Sequence, residues 1–369
     1  MINYFDNFYD WWKNVDKFLL FLILSLFLLG LFFSLVSTSL IASDKLDTKS
    51  YYFFFKHSAY ITLAILILIF FSFLNQKILK KFSLILFLIT FLSLMLVPFL
   101  GIEVKGSKRW LDLLFLPRFQ PIEIVKPFFI VMLSLMLTIQ NRQLYFKYFL
   151  STLFLLPILI LLVNQPDIGQ TLLVAMVWLA LIFVSGINIF VFSIFFFLVG
   201  SVISYLIIYI PKFEYIKIRL LAFLDSSSSN NYQAEKASDA IINGGFFGRG
   251  IGEGTLNSRI PEAHTDYIVS VISEEFGAII VIGILFLYLI FSYRVIQKIN
   301  FLDEDLSKLI LTGCVSLILL QTFIHVGVNI RILPTTGMTL PFLSYGGSSI
   351  VSTAIISGLI LNLTKRKLD

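Results

Sequence analysis

Between residues 243 and 277 the chain gathers side chains that could do chemistry. The stretch reads NGGFFGRGIGEGTLNSRIPEAHTDYIVSVISEEFG and sets Arg249, Glu253, Arg259, Glu262, His264 and Asp266 among glycines. An apolar run begins directly after Asp266, which puts this carboxylate at a membrane–water boundary. Partial desolvation there raises a carboxylate's pKa and keeps it serviceable as a general base. His264 suits a structural hydrogen bond better than catalysis, and Arg259 with Glu262 suits an exposed ion pair as well as a ligand contact. The glycines at 248, 250, 252 and 254 would let backbone approach a ligand closely. No G-K-[ST] follows them and no strand precedes them, so this is not a nucleotide-binding phosphate loop.

A second group lies earlier. Residues 101–121, GIEVKGSKRWLDLLFLPRFQP, carry Lys105, Lys108, Arg109 and Arg118 beside Trp110. Glu123 and Lys126 follow, three apart and therefore on one helical face about one turn into the next apolar run. An ionisable residue at the centre of a membrane helix costs about 2.5–3.5 kcal/mol and less near its end. Such residues are as a rule functional or paired; a mutual Glu123–Lys126 ion pair and a substrate contact both fit. NQPDIGQ at 164–170 breaks two apolar runs, with Asp167 placed either to cap the second as a helix or to line a cavity. SYGGSS at 344–349 lacks the G-x-S-x-G spacing of a hydrolase elbow, so Ser344 is not read as a nucleophile. No His pair or carboxylate cluster stands at ligand spacing, and no cofactor is evident; a divalent ion held jointly by a substrate's phosphates and one carboxylate stays compatible with the sequence.

The elements that must position these residues are membrane helices. Of the 369 residues 58% are hydrophobic and only 14% charged, against about a quarter charged in a soluble domain. Runs such as FLLFLILSLFLLGLFFSLV exclude the weak alternation of a membrane barrel. The chain reads as one all-α polytopic domain, 1–369, with ten spans at 17–39, 57–74, 82–100, 122–139, 148–163, 168–186, 188–210, 266–290, 307–329 and 344–363. Residues 1–16 and 364–369 are then short terminal segments, and 211–265 is a large loop between the seventh and eighth spans. Basic residues at Lys77, Lys80, Lys81, Arg142 and Lys147 favour both termini on the cytoplasmic side once the basic loops 101–126 and 211–265 are set aside. Within the large loop, 211–225 suits an interfacial helix, SSSSNN a flexible link, and 231–245 a short helix ended by Gly244 and Gly245. Trp11 and Trp12 suit interfacial anchors. Cys314 is the only cysteine, so no internal disulfide forms. The start lacks a basic region and a small-residue cleavage site, so no signal peptide is expected.

KGSKRWLDL, RFQPIEIVK, NQPDIGQ, GGFFGRGIGEG, PEAHTDYI…SEEFG and LPTTGMTLPFLSYGGSS, in this order from about residue 101 to 350, resemble the motifs of the SEDS family (FtsW, RodA and SpoVE), and more closely its cell-division branch than its elongation branch. Two positions depart: Thr336, where Lys is expected in near relatives, and Ile122, where the family usually has Ser. The resemblance implies a peptidoglycan glycosyltransferase that polymerises lipid II with inversion, forming a β-1,4 bond and releasing undecaprenyl pyrophosphate. It implies that Asp266 is the catalytic carboxylate. Arg109, Lys126, Arg249 and Arg259 are then candidates to hold pyrophosphate, Trp110 to stack on a sugar or grip the polyprenyl chain, and Glu123 and His264 to serve the same site. It further implies the cytoplasmic membrane at the septum, other divisome membrane proteins as neighbours, and a class B penicillin-binding protein (an FtsI-like transpeptidase) as partner. No nucleic acid is expected. An elongation polymerase, a lipid II flippase and a non-catalytic division scaffold are the competing readings.

Overall fold

The computed structural model describes residues 8–38, 52–104, 106–113, 117–224, 232–256, 260 and 262–366. Arg259, Lys105 and the 225–231 link lie outside the described residues. The helices are α1 (Phe8–Asn14), α2 (Lys17–Thr38), α3 (Tyr52–Phe73), α4 (Gln76–Leu100), α5 (Pro121–Leu137), α6 (Leu144–Asn164), α7 (Ile168–Val184), α8 (Ile189–Tyr209), α9 (Glu214–Leu224), α10 (Tyr232–Gly244), α11 (Ile268–Phe276), α12 (Ala278–Ile299), α13 (Asp305–Asn329) and α14 (Gly347–Leu363). A small antiparallel hairpin, β1 (Ile102–Val104) and β2 (Ser107–Trp110), follows α4.

Among the described residues six helices are long and apolar enough to cross a membrane: α2, α3, α4, α6, α12 and α13. α5, α7 and α14 have 17 residues each, short of the roughly 20 that a straight crossing needs. The expected span 266–290 is corrected. It is two helices, because Gly277, at φ 86°, ends α11 and starts α12. The membrane-length helix is therefore Ala278–Ile299, and only a few residues separate it from α13. The helices expected within 211–225 and 231–245 appear as α9 and α10.

The bundle closes through glycines and through polar caps. α14 packs along α3 and also against α5, while α13 packs on α7. A Cβ on Gly358 would lie 2.6 Å from Phe71 Cβ, so only glycine lets α14 come this close to α3. Asn362 Nδ2 donates to the carbonyls of Phe71 and Leu74 at 2.9 and 2.6 Å, satisfying acceptors that α3 cannot satisfy within itself. Trp11 corrects the anchor reading: it is buried and donates through Nε1 to Ser72 at 2.8 Å, tying α1 to the same helix end. Trp12 remains exposed, beneath the Lys17 ammonium. Asp16 accepts from the amides of Phe18 and Leu19, both at 3.1 Å, and pairs with Arg294 at 2.9 Å and Lys298 at 3.1 Å, which locks the start of α2 to the end of α12. Burial alone would raise its pKa, but the Leu19 amide, Lys298 and Arg294 outweigh burial and hold Asp16 below the usual 3.8.

Candidate active site

Asp266 sits half-buried in the turn that enters α11. Its amide donates to Glu262 O at 3.1 Å, closing one turn over a residue at φ 57°. The three consecutive carbonyls of His264, Thr265 and Asp266 are each held from the C-terminal part of the chain: by Tyr345 N at 3.0 Å, Ser344 Oγ at 2.7 Å and Asn329 Nδ2 at 3.1 Å. Asn329 also accepts from Ser270 Oγ at 2.8 Å, so one side chain fixes the backbone on both sides of Tyr267. Gly337 lies against the carboxylate: a Cβ there would stand 3.3 Å from Asp266 Oδ2, and its φ of 67° is one that side chains other than glycine rarely adopt. The next residue, Met338, is held by its carbonyl to His325 Nδ1 at 2.7 Å. Ser344 thus works as a clamp; its Oγ also accepts from Leu340 N at 2.8 Å.

Deeper in the bundle a chain of buried polar groups runs beside this loop. Arg109 reaches from β2 to the 164–170 turn, where Nε donates to Gln165 O at 3.1 Å, Nη2 donates to Pro166 O at 2.5 Å, and Nη1 lies 3.9 Å from Asp167 Oδ1. Asp167 both caps α7, through Gln170 N at 3.4 Å, and accepts from Gln120 Nε2 at 2.9 Å. Gln170 donates to Glu123 at 2.5 Å; Glu123 pairs with Lys126 at 2.9 Å; Lys126 donates to Gln321 at 3.2 Å; Gln321 donates to Thr339 O at 2.9 Å. The Lys126 side chain is 0% exposed. The mutual ion pair is therefore real, and it is one link in a chain from the hairpin to the loop carrying Gly337. Gly169 brings the two together, since a Cβ there would meet Thr336 Cβ at 2.9 Å and Met338 Cγ at 3.0 Å.

Not every candidate comes to this place. Arg249 is exposed and held within its own loop, Nε donating to Asn243 O and Nη2 to Asn243 Oδ1, both at 2.7 Å, while its amide donates to Glu274 O. That is the opposite end of α11 from Asp266, about 13 Å along a helix of this length. Of the glycine run, Gly248 is corrected, while Gly252 has open space around it. A Cβ on Gly244, Gly248 or Gly277 would come within 2.0–2.2 Å of a backbone carbonyl across the α10–α11 contact, so these glycines serve chain-to-chain packing and not ligand approach. Glu274 Oε1 accepts from Asn243 Nδ2 at 3.0 Å and Leu256 N at 2.9 Å, and so holds this knot together. His264 stands in an aromatic group with Phe53 and Tyr345, ring centres 5.4 and 5.5 Å away. Burial lowers its pKa below 6.5 against the pull of Glu262, so its imidazole is neutral at pH 7. Trp110 is half-buried in β2 opposite Ile102.

Sequence reasoning missed Gln321, His325 and Asn329. Their signal was present: they are spaced by four along α13 and so fall on one helix face. Among the described residues no group of three or more His, Cys, Asp or Glu could hold a metal.

The fold and site define a class: a polytopic helical membrane protein whose charged interior opens on one carboxylate clamped between two loops. The chain belongs to the FtsW, RodA and SpoVE family, whose model, described as a cell cycle protein, matches residues 17–368. It is 30% identical to the Caulobacter vibrioides protein named "Probable peptidoglycan glycosyltransferase FtsW", over 97% of this chain and 91% of that one. It is 33% identical to the Coxiella burnetii protein of the same name, over 95% and 96%. Among solved structures it resembles one from work on polymerization and crosslinking by a peptidoglycan synthase complex, with TM-score 0.79 and 26% identity over 95% of this chain and 97% of that chain. It also resembles the rod shape determining protein RodA of Thermus thermophilus, with TM-score 0.69 and 26% identity over 95% and 96%.

Proposed function

We propose that this protein is a peptidoglycan glycosyltransferase that polymerises lipid II at the outer face of the cytoplasmic membrane for the division septum, with both termini cytoplasmic. The observation that carries the reading is the Asp266 clamp: a carboxylate whose backbone is fixed by Tyr345, Ser344 and Asn329 and whose oxygen rests on Gly337. A general base needs this kind of fixed geometry. Asp266 takes the proton of the acceptor's 4-hydroxyl as the oxygen attacks C1 of the donor sugar. The bond from C1 to the pyrophosphate oxygen breaks, undecaprenyl pyrophosphate leaves with the electron pair, and inversion gives the β-1,4 linkage. Arg109, beside the chain's path to the site, offers positive charge to the departing anion, and Trp110 next to it offers an apolar face to sugar or polyprenyl chain. Glu123 and Lys126 are internal and shape the site's floor. A divalent ion shared by the pyrophosphate and one carboxylate would assist the departure.

The partner in this reading is a class B penicillin-binding protein that cross-links the new strand, in company with other divisome membrane proteins; likeness to a synthase complex supports it. The test is lipid II polymerisation by the purified protein with that partner. Wild type is expected to make glycan polymer, and a folded Asp266→Asn variant none. Equal polymer from both would remove Asp266 from the chemistry.

A further inference from the structure

The loop that rests against Asp266 has a second face. Arg331, Leu333 and Thr335 line a cavity of about 340 Å³ whose other wall is Tyr215, Ile218 and Arg219 of α9. The volume falls in the range of small-molecule sites. None of the described lining residues is acidic. Neither Arg219 nor Arg331 has a side-chain hydrogen bond or ion pair among the described residues. Two arginines thus line one partly enclosed space with no acidic residue among its described lining, Asp167 acting on Arg219 from outside it, an arrangement that favours an anion. Arg331 sits at φ 57°, just past the end of α13, where its side chain lines the cavity beside Thr335.

The surroundings narrow the ligand further. Tyr215 OH donates to Val163 O at 3.3 Å, pinning α9 to the end of α6 beside the 164–170 turn. Arg109 and Asp167 both act electrostatically on Arg219, so the cavity adjoins the knot that Arg109 makes with that turn. Its opposite edge, residues 331–335, runs on to Gly337 and Asp266. The rest of the lining is apolar: Ile218, Ala222, Phe223 and Leu333. Two arginines lining one cavity against an apolar wall suit an anion of more than one charge on a hydrocarbon tail.

We propose that this cavity binds the diphosphate of a polyprenyl-linked ligand, with Arg219 and Arg331 as its clamp, Thr335 as a hydroxyl donor and the apolar wall receiving the first isoprene units. The identity of that ligand as the sugar-bearing substrate rests on the glycosyltransferase reading; the diphosphate site itself rests on the cavity. Farnesyl diphosphate, a soluble short-chain probe, tests it by titration against the purified full-length protein in neutral detergent. Wild type is expected to bind. Arg219→Gln and Arg331→Gln are each expected to weaken binding about tenfold or more, as loss of a charge-assisted contact does. Farnesol should not compete, and phosphatidylglycerol should not displace the probe at equal concentration. Arg219→Lys and Arg331→Lys, expected to bind more tightly than the Gln variants, serve where a Gln variant fails to fold. Binding by folded variants within twofold of wild type overturns the inference, as does absence of wild-type binding or one-for-one displacement by phosphatidylglycerol, which would assign the cavity to a phospholipid headgroup. Polymerisation run in parallel separates the two claims. An active wild type with unweakened variants sinks only the cavity, and arginine-dependent binding by a protein that makes no polymer sinks only the function.

Discussion

Replacing Lys126 by Met leaves Glu123 charged, buried and without its cation. The Lys126 side chain is 0% exposed and that of Glu123 5%, with 2.9 Å between Nζ and Oε2. Gln170 donates to the other Glu123 oxygen, but one neutral amide does not replace an ammonium. Breaking a buried pair by removing one partner costs about 3–5 kcal/mol, most of it the uncompensated charge left behind. The loss spreads, because Lys126 also donates to Gln321, whose amide holds Thr339 O at 2.9 Å next to the loop bearing Gly337. Lys126→Met is therefore expected to lose about 3–5 kcal/mol in reversible unfolding by a denaturing detergent. Glu123→Gln together with Lys126→Met is expected to recover much of that loss, since it removes both charges. Were Lys126→Met alone as stable as wild type, or the double variant less stable than the single, the internal charge chain would not be what orders this part of the bundle.

Gly337→Ala forces a side chain into a left-handed conformation, at roughly 1–2 kcal/mol, and sets a methyl 3.3 Å from Asp266 Oδ2. A displacement of a few tenths of an ångström at the base is expected to lower kcat/KM for polymerisation about tenfold, given about a hundredfold for 1 Å; an unchanged rate would detach the loop from the chemistry. Asp16 gives the pH prediction. Its folded pKa lies below 3.8, so its pairing with Arg294 and Lys298 stabilises the protein fully above that value and loses this effect as pH falls through the lower, folded pKa. Asp16→Asn is expected to be less stable by about 2 kcal/mol at pH 7 and to converge on wild type below pH 3.8; thermal unfolding of both across pH checks it, and a gap that widens on acidification would contradict the pairing.

The helical class and the order of most elements were legible because each rests on local signals: unbroken apolar runs and helix-ending glycines. The Glu123–Lys126 pair was legible for the same reason, being one turn of one helix. What escaped the sequence was non-local. Gly277, between SEEF and a long apolar run, looks like an interior glycine until the backbone of Phe246 and Gly248 after α10 is seen at close range. Arg249, surrounded by glycines, carries the signature of a ligand contact, yet Asn243 six residues earlier takes its guanidinium. Gln321, His325 and Asn329 share a face, but only the fold says that this face meets both the loop at 336–339 and the Asp266 turn.

That shared face explains how one helix serves two depths. Asn329 fixes the Asp266 turn, His325 one turn inward fixes Met338, and Gln321 one turn further joins Lys126 to Thr339. The loop at 336–339 is thus gripped at successive levels by α13, with Gly337 held against the carboxylate between them. Because the grips are hydrogen bonds from a single rigid helix, a shift of α13 moves base, loop and charge chain as one unit. The Arg219–Arg331 cavity is lined by Thr335, the residue directly before this loop. An anion drawing Arg331 inward would therefore act on the segment that sets the position of Asp266, coupling occupancy of the diphosphate site to alignment of the base.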